Sequence, residues 1–284
     1  MRKFWAVCGI IFGVGLILIM LLAVSVFLFA MRDRLAFGAG EVAIVNITGE
    51  IYQSKPTIDL LHRYEKRPRV KAIVLRIDSP GGSVAATQEI YEEVNKIREK
   101  GEKPIIASLG SVAASGGYYI ACGAEKIVAN PGTMTGSIGV LINILNMEEL
   151  LEKIGISVTT ITSADYKNIG SMTKELTADQ EKLLKGVIDN IHNQFLHVVE
   201  ERRELTPEEL ESVADGRIFT GEQAFECRLI DEIGNLDDAI EMAAEAGGIK
   251  GEPRIIMERK KFSLLELILG STELRLPLLI QYRL

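Results

Sequence analysis

The run Val70-Lys-Ala-Ile-Val-Leu-Arg-Ile-Asp78-Ser79-Pro80-Gly81-Gly82, continuing into Ser83-Val-Ala-Ala-Thr-Gln-Glu-Ile90, decides the fold. Val70–Ile77 is mostly apolar, rich in β-branched residues and of strand length, and a proline with two glycines stops it abruptly. From Ser83 to Lys100 the period changes, with Ile90, Val94 and Ile97 on one helical face. A strand, a sharp turn and a helix in succession are half of a crossover unit, and the next strand must lie parallel to the first.

The same alternation extends both ways. Glu41–Ile47, Ile105–Ser108, Lys126–Ala129 and Ser137–Ile142 read as strands, and Ile156–Ile161 as extended. Helices are predicted near Thr57–Arg67, Ala113–Cys122, Met147–Ile154, Ala178–Glu204, Glu208–Val213, Gly221–Cys227 and Asp237–Ala246. The fold class expected is α/β, with a mostly parallel sheet and no internal repeat.

Composition narrows the functions. The chain has 284 residues, 47% of them hydrophobic, which excludes a disordered chain, and its three cysteines exclude a disulfide scaffold. Its net charge is −7. Arg2, Lys3, Arg32 and Arg34 outweigh Asp33 at the N-terminus, so the body is more acidic still. Nucleic acid is therefore not the expected partner, because phosphate binding needs clustered Lys and Arg. Cys122 and Cys227 lack metal-ligand spacing, and His192 and His197 are five apart, off a shared helix face. No metal or cofactor is expected.

No charge interrupts Phe4–Met31, long enough for a membrane-spanning helix and longer than a secretory h-region. A retained single-pass anchor is favoured over cleavage near Ala36-Phe-Gly-Ala-Gly40. Matching numbers of basic residues on its two flanks leave the orientation open. Three parts follow: an anchor and linker at 1–40, a folded body at 41–261 and an apolar tail at 262–284. Charges and Pro277 interrupt that tail, which suits docking on a groove, on the membrane surface or on the core.

Three glycine-rich turns could carry chemistry. Pro80, Gly81 and Gly82 form a turn whose backbone N–H groups can approach an oxyanion closely, although such turns are commonly just turns. Ser115 sits among Ala113, Ala114, Gly116 and Gly117, small neighbours that let a carbonyl reach a hydroxyl nucleophile; close helix packing is the alternative. Thr135, Gly136, Ile138 and Gly139 around Ser137 could line a groove and pair with an extended peptide. No histidine has a setting suited to activating Ser115. A desolvated lysine could, but composition does not select which.

Asp78-Ser-Pro-Gly-Gly82, Ala113-Ala-Ser-Gly-Gly-Tyr-Tyr119, Thr135-Gly-Ser-Ile-Gly139 and Tyr166-Lys-Asn-Ile-Gly-Ser171 together resemble the signal peptide peptidase A family in its short, single-repeat form. The resemblance covers nearly all of the chain after residue 40. It implies a ClpP/crotonase-like fold, a ββα superhelix behind one transmembrane helix, and a serine–lysine dyad. Ser115 matches the nucleophile and Lys167 the general base, with Ser137 orienting the lysine amine. The backbone N–H groups of Gly82 and Gly116 match the oxyanion hole. It also implies a ring-like homo-oligomer whose protomers share sites, hydrophobic peptide substrates such as remnant signal peptides, and a catalytic body outside the cytoplasm. Two other readings compete. A crotonase-like acyl-CoA enzyme would have no use for Ser115, and a non-catalytic membrane scaffold would keep the glycines for structure alone.

Overall fold

A computed structural model describes residues 13, 15, 17–27, 40–258 and 281–283. Helix α1 covers residues 17–27 of the expected anchor, most of the rest of which lies outside the described residues. No helix among the described residues is long and apolar enough to cross a membrane.

The centre is a mostly parallel sheet. β1 (Glu41–Thr48), β2 (Val70–Ser79) and β4 (Ile105–Ala114) lie side by side, and β9 (Arg254–Met257) adds to the far edge of β1. The other edge of β4 serves two partners in turn. Its first half pairs with β5 (Lys126–Ala129), which carries β8 (Glu232–Ile233) outside it. Its last residues pair with β6 (Met134–Gly136), backed antiparallel by β7 (Ile218–Thr220).

Gly110 stands between the two halves. A Cβ there would lie 2.8 Å from the Cβ and Cγ of Asp78, so only glycine fits beside that side chain. The Asp78 carboxylate accepts the Val112 N–H at 3.0 Å, and the β2–β4 register shifts between Ile77 and Ser79. The Thr133 hydroxyl donates to the Gly110 carbonyl at 2.8 Å, fastening the approach to β6 to the same point.

Strand periodicity supplies two apolar faces. Val42, Ile44, Ala72, Val74 and Ile106 pack under α9 (Leu236–Ala246), which Asn235 and Asp238 start with a capping box. The opposite face, including Val45, Ile73, Leu75 and Ala107, packs under α2 (Lys55–Glu65), α3 (Val84–Lys100), α4 (Gly116–Ala121) and the end of α6 (Ala178–Arg203). Each fully buried Ile, Leu or Val contributes ~1.5–3 kcal/mol. Helices on both faces explain why the strands read as continuous apolar runs.

Several expected boundaries move. α2 starts at Lys55, two residues before the expected Thr57, because Pro56 suits a first helical turn. The helix expected from Ala113 starts at Gly116: Ala113 and Ala114 remain in β4, held by ladders on both edges. The strand expected at Ser137–Ile142 lies earlier, at Met134–Gly136, and the positive φ of Ser137 ends it. Residues 156–161 are exposed and join no strand.

Beyond Val140 the chain leaves the core as an arm through α5 (Glu148–Lys153), and it returns along α6. Only Phe195, Val198 and Val199 of that 26-residue helix are buried, all in its C-terminal half. The arm exposes Leu145, Leu150, Ile154, Ile156, Val158 and Ile161, the last at 94%.

Candidate active site

At the end of β4 the chain turns through Ser115 into α4. Ser115 has φ 53° and ψ −117°, a conformation that costs a residue with a Cβ ~1–3 kcal/mol. Two backbone bonds hold it there. Its N–H donates to the Gly136 carbonyl at 2.8 Å, and its carbonyl accepts the Tyr119 N–H at 2.9 Å. A strained residue between strand and helix presents its side chain at the sheet end, as a nucleophile requires. The Ser115 side chain is fully buried, and among the described residues its Oγ has no hydrogen-bond partner. Leaving a buried hydroxyl unbonded costs about 1–3 kcal/mol, which packing alone does not explain.

Ser137 repeats the geometry one strand over. Ala114 and Gly136 are register partners, so Ser115 and Ser137 each follow directly on the end of neighbouring strands. Ser137 has φ 52°, and its N–H donates to the Arg217 carbonyl at 2.8 Å. Arg217 also chelates Asp215, and its side-chain hydrogen bond, then a backbone one, pulls that carboxyl down to about 2.

The third wall is β3 (Gly81–Ser83). Ser79 pairs with Ala113, which brings the end of β2 beside the nucleophile strand. The buried Ser79 hydroxyl accepts the Gly81 N–H at 3.1 Å. On one edge of β3, Ile51 donates its N–H to the Gly81 carbonyl at 2.9 Å and accepts the Ser83 N–H at 2.7 Å. A Cβ on Gly82 would sit 2.3 Å from the Ile51 carbonyl oxygen, so no other residue fits. A Cβ on Gly117 would likewise lie 2.8 Å from the Ser79 carbonyl oxygen, so glycine lets the start of α4 pack closely on β2. Gly116 occupies the first helical position, where an N–H has no carbonyl one turn earlier to receive it.

Ser115, Gly116, Ser137, Gly136, Gly81 and Gly82 thus meet at the C-terminal ends of β2, β4 and β6, where open parallel sheets place ligands. Other expected positions are held differently. The Thr135 hydroxyl is fully buried and donates to the Ala113 carbonyl at 2.7 Å, while Ile138 belongs to the core. Gly139 is half-buried beyond them. Lys167 lies apart, exposed in a turn of the arm whose N–H reaches the Ala164 carbonyl at 3.2 Å. Within the single chain it makes no bond to Ser115 Oγ.

Beneath α4, burial drives the Tyr118 hydroxyl well above its usual range, and it donates to the Leu229 carbonyl at 2.7 Å. Burial also pushes the Cys122 thiol up to about 11, which leaves it an inert core group. No cluster of His, Cys, Asp or Glu among the described residues could hold a metal. Ile51 and Arg217 support the site and went unnoticed in the sequence, because isolated residues in unremarkable segments carry no pattern. Ser79 lay inside a recognised motif.

Residues 40–136 match the Clp protease model, in keeping with a mostly parallel sheet whose strand ends carry the strained Ser115. Residues 97–250 match the model for peptidase family S49, and the chain belongs to that family of serine-type peptidases. A protein of Synechocystis sp. whose name assigns it as a protease is 42% identical over 211 residues, 74% of this chain and 75% of its own. Protease 4 of Salmonella typhi is 41% identical over 183 residues, 64% of this chain and 29% of its own. The chloroplastic serine protease SPPA of Arabidopsis thaliana is 33% identical over 251 residues, 84% of this chain and 36% of its own.

Proposed function

We propose that the chain is a membrane-anchored serine endopeptidase that cleaves extended hydrophobic peptides, remnant signal peptides among them. Ser115 is the nucleophile, Lys167 the general base, Ser137 the hydroxyl that orients the lysine, and Gly82 and Gly116 the oxyanion donors. Residues 1–40 anchor a catalytic body, 41–261, outside the cytoplasm, and 262–284 form the tail. Gly81, Thr135, Gly136, Ile138 and Gly139 build the backbone walls of the peptide groove. The observation that carries this reading is the strained, buried and unpartnered hydroxyl of Ser115 beside glycine N–H groups.

The steps follow from this arrangement. Ser115 Oγ attacks the peptide carbonyl while the amine of Lys167 takes its proton, and the Gly82 and Gly116 N–H groups hold the oxygen as it becomes negative. Lys167 returns the proton to the leaving amine, and water then hydrolyses the acyl-enzyme by the same route. An amine accepts a proton only when neutral, and a dry setting favours the neutral form. The exposed arm supplies such a setting on assembly. Its apolar residues are the surface a second copy would cover, and covering them would carry Lys167 of one protomer to Ser115 of another.

Detergent-solubilised full-length chain should hydrolyse a hydrophobic fluorogenic peptide and label at Ser115 with a fluorophosphonate. Ser115→Ala and Lys167→Ala should each abolish turnover, and mixing the two inactive variants should restore part of it. Turnover retained by Lys167→Ala refutes the dyad, and a mixture that stays inactive refutes sharing between protomers. Tight coenzyme A binding without labelling would point instead to the acyl-CoA reading.

A further inference from the structure

The parallel strands β1, β2 and β9 all start at one pole of the body, and the chain arrives there from residues 1–40. The Glu41 N–H donates to the Arg69 carbonyl at 2.8 Å, and the Gly40 carbonyl accepts the Arg254 N–H at 3.2 Å. A Cβ on Gly40 would lie 2.6 Å from Lys71 Cγ. The point of entry is thus wedged between the turn that joins α2 to β2 and the start of β9.

That turn is strongly basic in an acidic protein. Arg63-Tyr-Glu-Lys-Arg-Pro-Arg-Val-Lys71 holds five cations, Arg63, Lys66, Arg67, Arg69 and Lys71, against the one carboxylate of Glu65, a local charge of +4 in a chain whose sum is −7. All five are exposed. Beneath them the buried Lys103 ammonium donates to the Tyr64 and Arg67 carbonyls at 2.9 Å each, which fixes the shape of the turn and adds a sixth positive charge. Nearby carboxylates offset only part of this. Glu41 pairs with Arg67 at 2.9 Å and Glu258 with Arg63 at 2.7 Å, while Lys100 and Arg254 bring further cations to Glu65 and Glu41.

We propose that the turn at residues 63–71 is a seat for anionic lipid headgroups, which stands the catalytic body on the bilayer by the N-terminal ends of its strands. The inference rests on the anchored reading for the presence of a membrane and is independent of the peptidase chemistry. Eight residues, 32–39, join the charge-free run to Gly40 and span at most about 30 Å, so the anchor delivers the turn to the headgroup layer. Each Lys or Arg near an anionic surface strengthens binding about fivefold, and the attraction fades within a screening length of about 10 Å, so a basic patch acts only where the chain already meets the membrane. The seat leaves the chemistry free. Val70 stands opposite Glu41 at the basic pole, and nine residues later β2 ends at Ser79 beside the nucleophile strand, about 30 Å along the sheet. Nucleic acid, the other polyanion a basic turn could hold, is repelled by the acidic remainder of the chain.

The test uses the full-length chain in lipid nanodiscs of phosphatidylcholine alone or with phosphatidylglycerol added. Mass spectrometry reads how fast N-hydroxysuccinimidyl acetate modifies each lysine. Lys66 and Lys71 should react about fivefold more slowly in the anionic discs, and high salt should erase the difference. Lys182, exposed on α6, should react equally in both. In a Lys66→Gln/Arg69→Gln chain, Lys71 should lose most of its protection while kcat on a soluble peptide stays unchanged. Equal Lys66 and Lys71 rates in the two lipids would overturn the proposal. Protection given by an oligonucleotide in neutral discs, and not by phosphatidylglycerol, would overturn it in favour of nucleic acid. A chain that does not stay with neutral discs refutes the anchor instead; flotation on phosphatidylglycerol vesicles, lost in high salt and in the double variant, then decides the lipid seat alone.

Discussion

Replacing Gly82 with alanine tests the oxyanion loop most directly. The added Cβ would lie 2.3 Å from the Ile51 carbonyl oxygen and 2.6 Å from its nitrogen, whereas ordinary contacts begin at 3.4 Å. Both obstacles are backbone, so the loop must move by about 1 Å rather than a side chain giving way. A displacement of that size costs roughly 10² in rate, and complete loss of one oxyanion donor 10²–10³. The same movement strains the two Ile51 hydrogen bonds, worth ~1 kcal/mol each. For a body of this size that lowers the thermal midpoint by about 4–8 °C. Gly132→Ala is the matched control, since nothing lies within 4 Å of its Cβ and it should behave as wild type. The assays are peptide hydrolysis under saturating substrate and differential scanning fluorimetry. A Gly82→Ala chain within threefold of wild-type kcat and with an unchanged midpoint would show that this loop neither holds the oxyanion nor depends on Ile51.

Three further outcomes are expected. Ser115→Gly should abolish labelling yet raise the unfolding free energy by about 1 kcal/mol in urea titration, since relieved strain exceeds the extra entropy of glycine; a less stable variant would contradict the strain. Cys122, with its thiol pushed up to about 11 by burial, should resist iodoacetamide at pH 8 until denaturant is added, and rapid modification of the native chain would contradict that burial. Asp215 should titrate near 2, and Arg217→Gln should move its midpoint back toward 3.8 in carbon-detected NMR. Because the folded value is depressed, its stabilising effect is complete above the ordinary carboxylate range and fades as pH falls toward 2. An unmoved midpoint would remove the Arg217 hydrogen bond as its cause.

The parallel sheet was legible because strands buried on both faces are apolar through their middles, as Ala72–Leu75 displays between Lys71 and Arg76. The glycine turns were legible for a related reason: positive φ and close backbone approach admit almost nothing else, as at Gly82 and Gly136. Boundaries near the site were not. Ala113 and Ala114 are good helix formers by intrinsic preference, yet ladders on both edges hold them in β4. The end of β6 was misplaced because Ser137 adopts φ 52° despite carrying a side chain, a tertiary constraint that local pattern does not encode. The short strands β7 and β8 escaped notice because two or three residues carry no period. Lys167 is singled out by family resemblance alone, since an exposed lysine on an arm has no local signature.

One consequence follows from the way β4 divides its edge. The half that carries the core is locked by long ladders to β2 and by β5, but the half that aims Ser115 rests on the three-residue strands β6 and β7. Heat should therefore disarm the protein before it melts it. Fraying of those few rungs frees Ser115 from Gly136 and Ser137 from Arg217 while the interior under α9 stays intact. A warmed molecule would lose its cutting ability first and its shape later.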